Sequence, residues 1–471
     1  MKNWILGIGA AFLTIGAQAQ MDNSFNNSGN GLGSLFATDY QSLGVNPGNL
    51  GCNKDLGGSN FALGLLEMDF TIHSTILSKD AMRKGIASVE EGGFLKSYDD
   101  KRNAAESIAQ SDVRFAFNSR WLGFSFTTKI GGVGFSLSDH LSMGLNVNEL
   151  GADVLFNGAL SDYFDIKYDE NGNELGPNYN EDDVASAKAS NPVMASQLFD
   201  GTDIGYMWYR KLSVGVGVGL IQTNLLKIYP GIGLNYLMGQ GIFQLKAEDG
   251  ELVAFNAFSP SFNVDYGSTH SSTTLGGSLT SIGNGLGVDL GANVVLQDKY
   301  RFSMAFTGLG AINWNGNALK ADDFLVDSTG SQGFDSYNFV KEFADEVKDG
   351  SIKWSEGESE TYMTPAIIRM GAGMSLSKIV TVGADFSFPL NDVPGSVDGG
   401  TLALGGALDL KVLQLTTGYI MNSDYGNSVP IGLTIDLKVY EFGFASRDLF
   451  SFFASDGNTI SFSTGFLRFK F

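Results

Sequence analysis

The chain has 471 residues and a formal net charge of −21; Gly (62), Phe (35) and Tyr (16) are abundant, and charged residues make up 17%. Such a charge excludes nucleic acid as a partner, because the phosphate backbone would be repelled. A single cysteine, Cys52, excludes a disulfide framework, and few stretches carry a 3.6-residue period, so the chain reads as all-β.

At the amino terminus, Lys2 precedes a short apolar run from Trp4 to Ile15, and Ala17-Gln18-Ala19 forms a small-residue cleavage site. Residues 1–19 are therefore expected to be a cleaved signal peptide, with the mature chain starting at Gln20. Residues 20–58 are rich in Asn, Gly and Ser and have no sustained period. Disorder is the simplest reading of that composition, and an ordered plug is the alternative. Cys52 within it reads as a structural thiol.

From Phe61 the pattern alternates. Leu66, Met68, Phe70 and Ile72 share one face, and Glu67, Asp69, Thr71 and His73 share the other, which needs water or partners. Residues 77–111 interrupt the pattern, with a short helix over Asn103–Gln110. Alternation resumes through Val113/Phe115/Phe117, Leu122/Phe124/Phe126, Val133/Phe135/Leu137 and Leu141/Met143/Leu145/Val147. Several of these runs fall below the ~9–11 residues expected of a spanning strand. Residues 149–202 are a long polar insertion. Its Tyr168–Glu174 run resembles a fragment of a calcium loop but lacks the terminal bidentate glutamate, and Asn171-Gly172 reads as a hairpin turn.

Beyond residue 202 the alternation is cleaner. Val214/Val216/Val218/Leu220 alternate with glycines; Leu286 to Leu296, Ile368 to Leu376, Val380 to Phe388, Ile431 to Leu437 and Tyr440 to Phe444 follow the same plan. The glycines of 215–219 and 283–291 match no dinucleotide fingerprint and read as a lumen face stripped of side chains, to admit a plug or a neighbouring backbone. Counting back from Phe471, long and short linkers alternate strictly. Short turns on one side and long loops on the other are the mark of an outer-membrane barrel. The expected fold is thus a transmembrane antiparallel outer-membrane β-barrel over 59–471, of about 14 strands with 14–18 admissible. The acidic stretches 162–183 and 321–360 fall in loops.

In the terminal strand, Leu467, Phe469 and Phe471 are assigned to lipid and Arg468 and Lys470 to the lumen. Phe469 and Phe471 are the expected signal for the barrel-insertion machinery. The inward ionisable set is Glu67, Asp69, Arg114, Asp289, Arg369, Asp385, Asp409, Asp436, Lys438 and Glu441. Two readings stay open for it, a salt-bridge network holding barrel and plug, or a path for a solute. Of His73, His140 and His270, only His73 falls on the inferred lumen face. No nucleophile elbow, zinc cluster or cofactor motif is present, so no catalytic, cofactor or metal site is assigned.

The run Asn46-Pro47-Gly48-Asn49-Leu50, just before the first strand, is similar to the Asn-Pro-Ala region of the long-chain fatty-acid outer-membrane transporter family, with Gly48 in place of alanine. Thr202 through Tyr206, Tyr209-Arg210-Lys211 and Leu212 to Leu220, together with Leu122-Gly123-Phe124, resemble an uncharacterised family of outer-membrane barrels from Bacteroidetes-type bacteria. The resemblance implies a barrel with residues 20–58 as a lumenal hatch, containing Asn46 and Pro47. It also implies a passive outer-membrane transporter or channel for a small hydrophobic or amphipathic molecule. The alternative is a non-transporting scaffold or protein-secretion partner that binds another protein through loops 149–202 and 310–363.

Overall fold

The computed structural model describes residues 29–74, 95, 97–109, 111–262, 281–336, 342, 352–395, 399–422, 426–449 and 459–471. The expected signal peptide, the cleavage before Gln20, residues 20–28 and His270 lie outside them.

Among the described residues of the amino-terminal segment the helices are four residues long, including α1 (Gly33–Phe36) and α2 (Gly48–Gly51). Fourteen barrel strands follow among the described residues. They are β1 Phe61–Ser74, β2 Asp112–Thr127, β3 Gly131–Asn146, β4 Thr202–Val218, β5 Leu226–Glu248, β6 Gly283–Leu296 and β7 Tyr300–Trp314. Then come β8 Ile367–Ser375, β9 Val380–Pro389, β10 Thr401–Asp409, β11 Leu413–Asn422, β12 Ile431–Asp436, β13 Tyr440–Ser446 and β14 Thr459–Lys470. Each pairs antiparallel with the next, and β14 returns to β1. Closure leaves the barrel without an open edge. At the seam, Phe61 N donates to Phe471 O (3.0 Å) and Phe471 N donates to Phe61 O (2.8 Å).

The tight turns 128–130, 219–225, 297–299, 376–379, 410–412 and 437–439 all sit at the seam residues' end, and the long connections sit at the other. Along β4, Val214, Val216 and Val218 are exposed while Ser213, Gly215 and Gly217 are buried. The same alternation on Leu234, Phe302, Phe386 and Leu433 builds an apolar belt round the outside, the lipid-facing surface of a membrane barrel. No described helix is long and apolar enough to cross a membrane.

Fourteen is the lower end of the expected range because short runs fuse. Val113–Phe117 and Leu122–Phe126 lie in one strand, β2, joined through an extra residue at Trp121 that shifts the register against β3. Leu66 and Phe466 are likewise left out of the pairing of β1 with β14, and Leu66 has φ +54°. Leu66, Trp121 and Phe466 are all exposed. At one level of three adjacent strands, then, the outward phase moves by one residue.

β2 to β5 are 16 to 23 residues long, well beyond the ~9–11 that a bilayer requires. Their far ends project past the belt, so the apolar face does not meet lipid along its whole length. Val113, Phe115, Leu141 and Met143 face outward but meet protein rather than lipid. A lobe covers them, built from α3 (Tyr98–Ala109), α4 (Glu149–Asn157), α5 (Ala195–Leu198) and a three-stranded sheet that takes Ser328–Thr329 from the 310–363 connection. Asn148 caps α4, its side chain accepting from Gly151 N at 2.7 Å. Loops 149–202 and 310–363 are bound to each other, with Ser196 N and Oγ donating to Asp323 at 2.9 and 2.7 Å. The Tyr168–Glu174 run is a turn, in which Asp169 Oδ1 accepts from Asn171 N (2.9 Å) and Asn173 N (2.8 Å).

Candidate functional site

Residues 29–58 run round the inner wall of the barrel. Gly29 lies against Gly432 of β12, Asn30 against Gly405 of β10, Leu35 against Gly371 and Gly383 of β8 and β9, and Leu43 against Gly134 and Gly215 of β3 and β4. Two seats need glycine outright. Tyr40 occupies the room between β1 and β2, where a β-carbon at Gly64 would fall 1.8 Å from its hydroxyl and one at Gly123 would fall 2.2 Å from its ring. Pro47-Gly48 lies backbone to backbone on β5, where a β-carbon at Gly231 would fall 2.3 Å from the Pro47 carbonyl. Side chains are missing from the wall where this second piece of chain must approach.

Polar bonds fasten the segment. The largest group is a buried hub around Tyr40, which donates to Glu67 Oε1 at 2.5 Å; Gln41 Nε2 donates to the same oxygen at 2.9 Å, and Arg120 pairs with Oε2 at 2.8 Å. The guanidinium groups of Arg120 and Arg468 each lie 5.7 Å from the Tyr40 ring centre. Arg468, only 1% exposed, reaches Asp39 Oδ2 at 2.7 Å and also pairs with Glu441. Lys470 pairs with Glu441 and with Asp436, the latter at 2.7 Å. The hub thus binds segment residues Asp39 and Tyr40 to β1, β2, β13 and β14 through opposed charges, which is how charge survives burial.

Three smaller fastenings complete the circuit. Ser34 N donates to Asp385 Oδ2 (2.9 Å), and Ser34 Oγ bonds Ser303 Oγ (2.8 Å). Asn46 Nδ2 donates to Ser34 O (3.1 Å) and Ala292 O (3.2 Å), while Asn293 Nδ2 donates to Asn49 Oδ1 (3.0 Å). Asp55 accepts from Tyr229 Oη (2.6 Å) and Lys227 Nζ (3.2 Å), and its carbonyl accepts from Arg301. Cys52 is buried, its Sγ is 3.7 Å from Asn49 O, and burial pushes its thiol up to about 12.

Of the residues singled out from sequence, Asn46, Pro47, Glu67, Asp385, Asp436 and Glu441 meet the segment or the hub. Others do not. His73 Nδ1 bonds Thr459 Oγ1 at 2.9 Å near the far end of β1, and Arg114 pairs with Asp112 at 2.7 Å. Asp69 and Arg369 lie on the same inner face, with Arg369 4% exposed. Asp289 serves the wall itself, accepting from Asn235 Nδ2 (3.0 Å) and from Gly308 N (2.7 Å) where a bulge frees that amide. Asp409 and Lys438 are corrections: both are exposed at the tight turns, where Asp409 Oδ1 accepts from Lys411 N at 2.9 Å. His140 also faces inward, stacked on Tyr209 at 5.2 Å. Phe469 packs 5.6 Å from Tyr440, and Phe471, 63% exposed, lies 6.2 Å from Phe61. Sequence reading passed over Asp39, Tyr40 and Arg120. The signal for Tyr40 was the pair of lumen-facing glycines opposite each other, Gly64 and Gly123.

Farther along the lumen, Met207, Leu237, Ile242, Ile312 and Trp314 form a buried apolar cluster on the inner faces of β4 to β7. The β9–β10 connection folds inward across the mouth, with Pro394-Gly395 against Gly205 of β4 and Gly395 against Ser142 of β3. Asp392 lies 3.5 Å from Lys246 on β5.

The chain is similar to the Pseudomonas putida toluene transporter TodX at 12% identity over 97% of each chain, with a TM-score of 0.44. It is similar to the Ralstonia pickettii toluene transporter TbuX at 11% identity, over 95% of this chain and 98% of that one, with a TM-score of 0.45. For a Pseudomonas aeruginosa FadL homologue the identity is 10%, the coverage 96% and 98%, and the TM-score 0.41. None of the curated proteins matches. The model of a family of unknown function, DUF5723, matches residues 61–446, from the first residue of β1 to the last of β13, and the chain belongs to that family.

Proposed function

We propose that the protein is a passive outer-membrane transporter for small hydrophobic or amphipathic molecules, with residues 20–58 as its hatch. One observation carries the reading. At one level the lumen is filled by a separate piece of chain, residues 29–58, seated on wall positions that lack side chains, and hydrogen bonds and ion pairs, which water can replace, fasten that piece. A barrel that served only as an anchor could fill its interior from the wall. On this reading a molecule enters past the inward β9–β10 connection, meets the apolar cluster, displaces or passes the hatch, and leaves through the wall or the periplasmic end. The resemblance of Asn46–Leu50 to the fatty-acid transporters supports the same plan. Deleting 20–58 should raise single-channel conductance in planar bilayers and change solute uptake by cells. Unchanged conductance and uptake would sink the proposal.

A scaffold role has its own support in the folded lobe, which exposes Glu170, Glu174, Glu181, Asp182 and Asp183 on one insertion. Cross-linking followed by native pull-down decides it, since recovery of the barrel alone counts against a protein partner. We assign Phe469 and Phe471 to assembly at the seam. Phe471→Asp should lower the amount of heat-modifiable barrel in outer membranes while export continues.

A further inference from the structure

One cross-strand row on the inner wall changes character midway. From β14 to β5, pairing aligns Ser461, Thr71, Ala116, Ser142, Met207 and Ile242. All six are buried, and all belong to the inward series of their strands. The first four are small, three of them with hydroxyls, and the last two are apolar and join the Trp314 cluster. The row lies beyond the hatch and beneath the inward β9–β10 connection, whose Gly395 rests on Ser142.

The polar half has unspent hydrogen-bonding capacity. Thr71 Oγ1 and Ser142 Oγ, on side chains of residues 1% and 3% exposed, have no partner, and neither has Asn118 Nδ2, one inward position from Ala116. Asn118 Oδ1 lies 2.9 Å from His140 Nδ1, and Ser138 Oγ lies 2.8 Å from His140 Nε2. With the carbonyl oxygen accepting, the ring proton sits on Nδ1 and Nε2 accepts from Ser138. Asn118 Nδ2 is then left over as a donor. Buried groups of this kind are normally satisfied, and each one left unpaired is a cost to the fold. Ala116 presents only a methyl between Thr71 and Ser142, which stand about 10 Å apart across two strand spacings. Asp69 is the cross-strand neighbour of Asn118, and Arg114, one inward position beyond Ala116 on the other side, is already paired with Asp112 at 2.7 Å, so the described neighbours offer an anion no unpaired cation.

We propose that this row seats the transported molecule and that the molecule is an uncharged amphiphile. Its hydroxyl or carbonyl head bonds Thr71, Asn118 and Ser142, and its hydrocarbon body lies along Met207 and Ile242. The assignment rests on the transporter reading and narrows it, setting neutral oxygenated molecules apart from bare hydrocarbons and from carboxylates.

Three fluorescent probes with one ring system test it: 1-naphthol, naphthalene and 1-naphthoate, titrated against the full-length barrel in micelles, with protein-free micelles as the blank. Saturable binding is expected, with 1-naphthol at least tenfold tighter than either of the others. Thr71→Val with Ser142→Ala should abolish that advantage, whereas Met207→Ser should weaken all three. Equal affinity for naphthol and naphthalene, or tightest binding of naphthoate, overturns the assignment using the wild-type protein alone. So does an advantage that survives the double substitution. If naphthalene also fails to bind saturably, the transporter reading falls with it; if naphthalene binds but the hydroxyl earns nothing, only the narrower assignment falls.

Discussion

Arg468 shows what a single side chain does in this barrel. It neutralises Asp39 from the lumenal segment and Glu441 from the wall at once, and it is as buried as any core residue. Removing one member of a buried ionic group leaves the others charged and unpaired, at about 3–5 kcal/mol. Arg468→Met should therefore lower the thermal unfolding midpoint in detergent, and adding Asp39→Asn and Glu441→Gln should recover much of the loss. Cys52 gives a second check. Its neutral, buried thiol should resist maleimide at pH 8 in the folded barrel and react once the barrel is unfolded. The sequence placed Arg468, Lys470, Glu67, Asp436 and Glu441 on the inward face, because alternation along a strand is a local property. It could not rank them. Asp289 sits on the same face but is spent on a bulge, and Asp409 and Lys438 continue the alternation into turns where it no longer applies. Asp39 and Tyr40 lie in a segment without a period, and their partners are defined only once the barrel has closed.

The interruptions in the strands carry as much information as the regular stretches. In β1 the outward apolar residues run Phe61, Leu63, Leu65 and then Leu66, Met68, Phe70; in β2 they run Val113, Phe115, Phe117 and then Leu122, Phe124, Phe126; in β14 Ile460 and Phe462 give way to Leu467 and Phe469. Each changes from odd to even numbering or back. In β2 this was visible in the sequence as two separate short runs, and the bulges at one level show a phase step within a continuous strand in all three. A bulge costs pairing locally but re-aims side chains, and here it turns Glu67 and Arg120 inward to meet Tyr40. The glycines opposite the segment have a complementary role. Gly231→Val places side-chain atoms where the Pro47 carbonyl lies. The barrel should still close, since Val suits a strand, but the segment should be unseated. Higher conductance than wild type in planar bilayers is the expected readout, and wild-type conductance would show that the seat tolerates a side chain.

For the whole molecule, the described lumen is occupied at two levels by different pieces of chain. The segment fills one, and the β9–β10 connection lies across the other, reaching from β9 and β10 to β3 and β4 on the opposite wall. Asp392→Lys sets two cations together where Asp392 now lies 3.5 Å from Lys246; it should loosen the connection and raise single-channel conductance in planar bilayers, and wild-type conductance would show that the connection does not control entry. The architecture was legible from signals that accumulate along the chain, namely alternation and the parity of long and short connections. The lobe was not, because the connections that build it carry no period and their apolar residues become meaningful only against the projecting ends of β2 to β5. The bond between Asp39 and Arg468 spans 429 positions of sequence, and the seam pairs strands almost as far apart. Contacts of such range form late and slowly. A nascent chain lacking either region is therefore no smaller version of the barrel but an open sheet with bare edges and a loose lumenal segment. The Asp39–Arg468 pair is thus joined only when the earliest and latest parts of the barrel are both in place, and a truncated chain keeps one of these charges without the other.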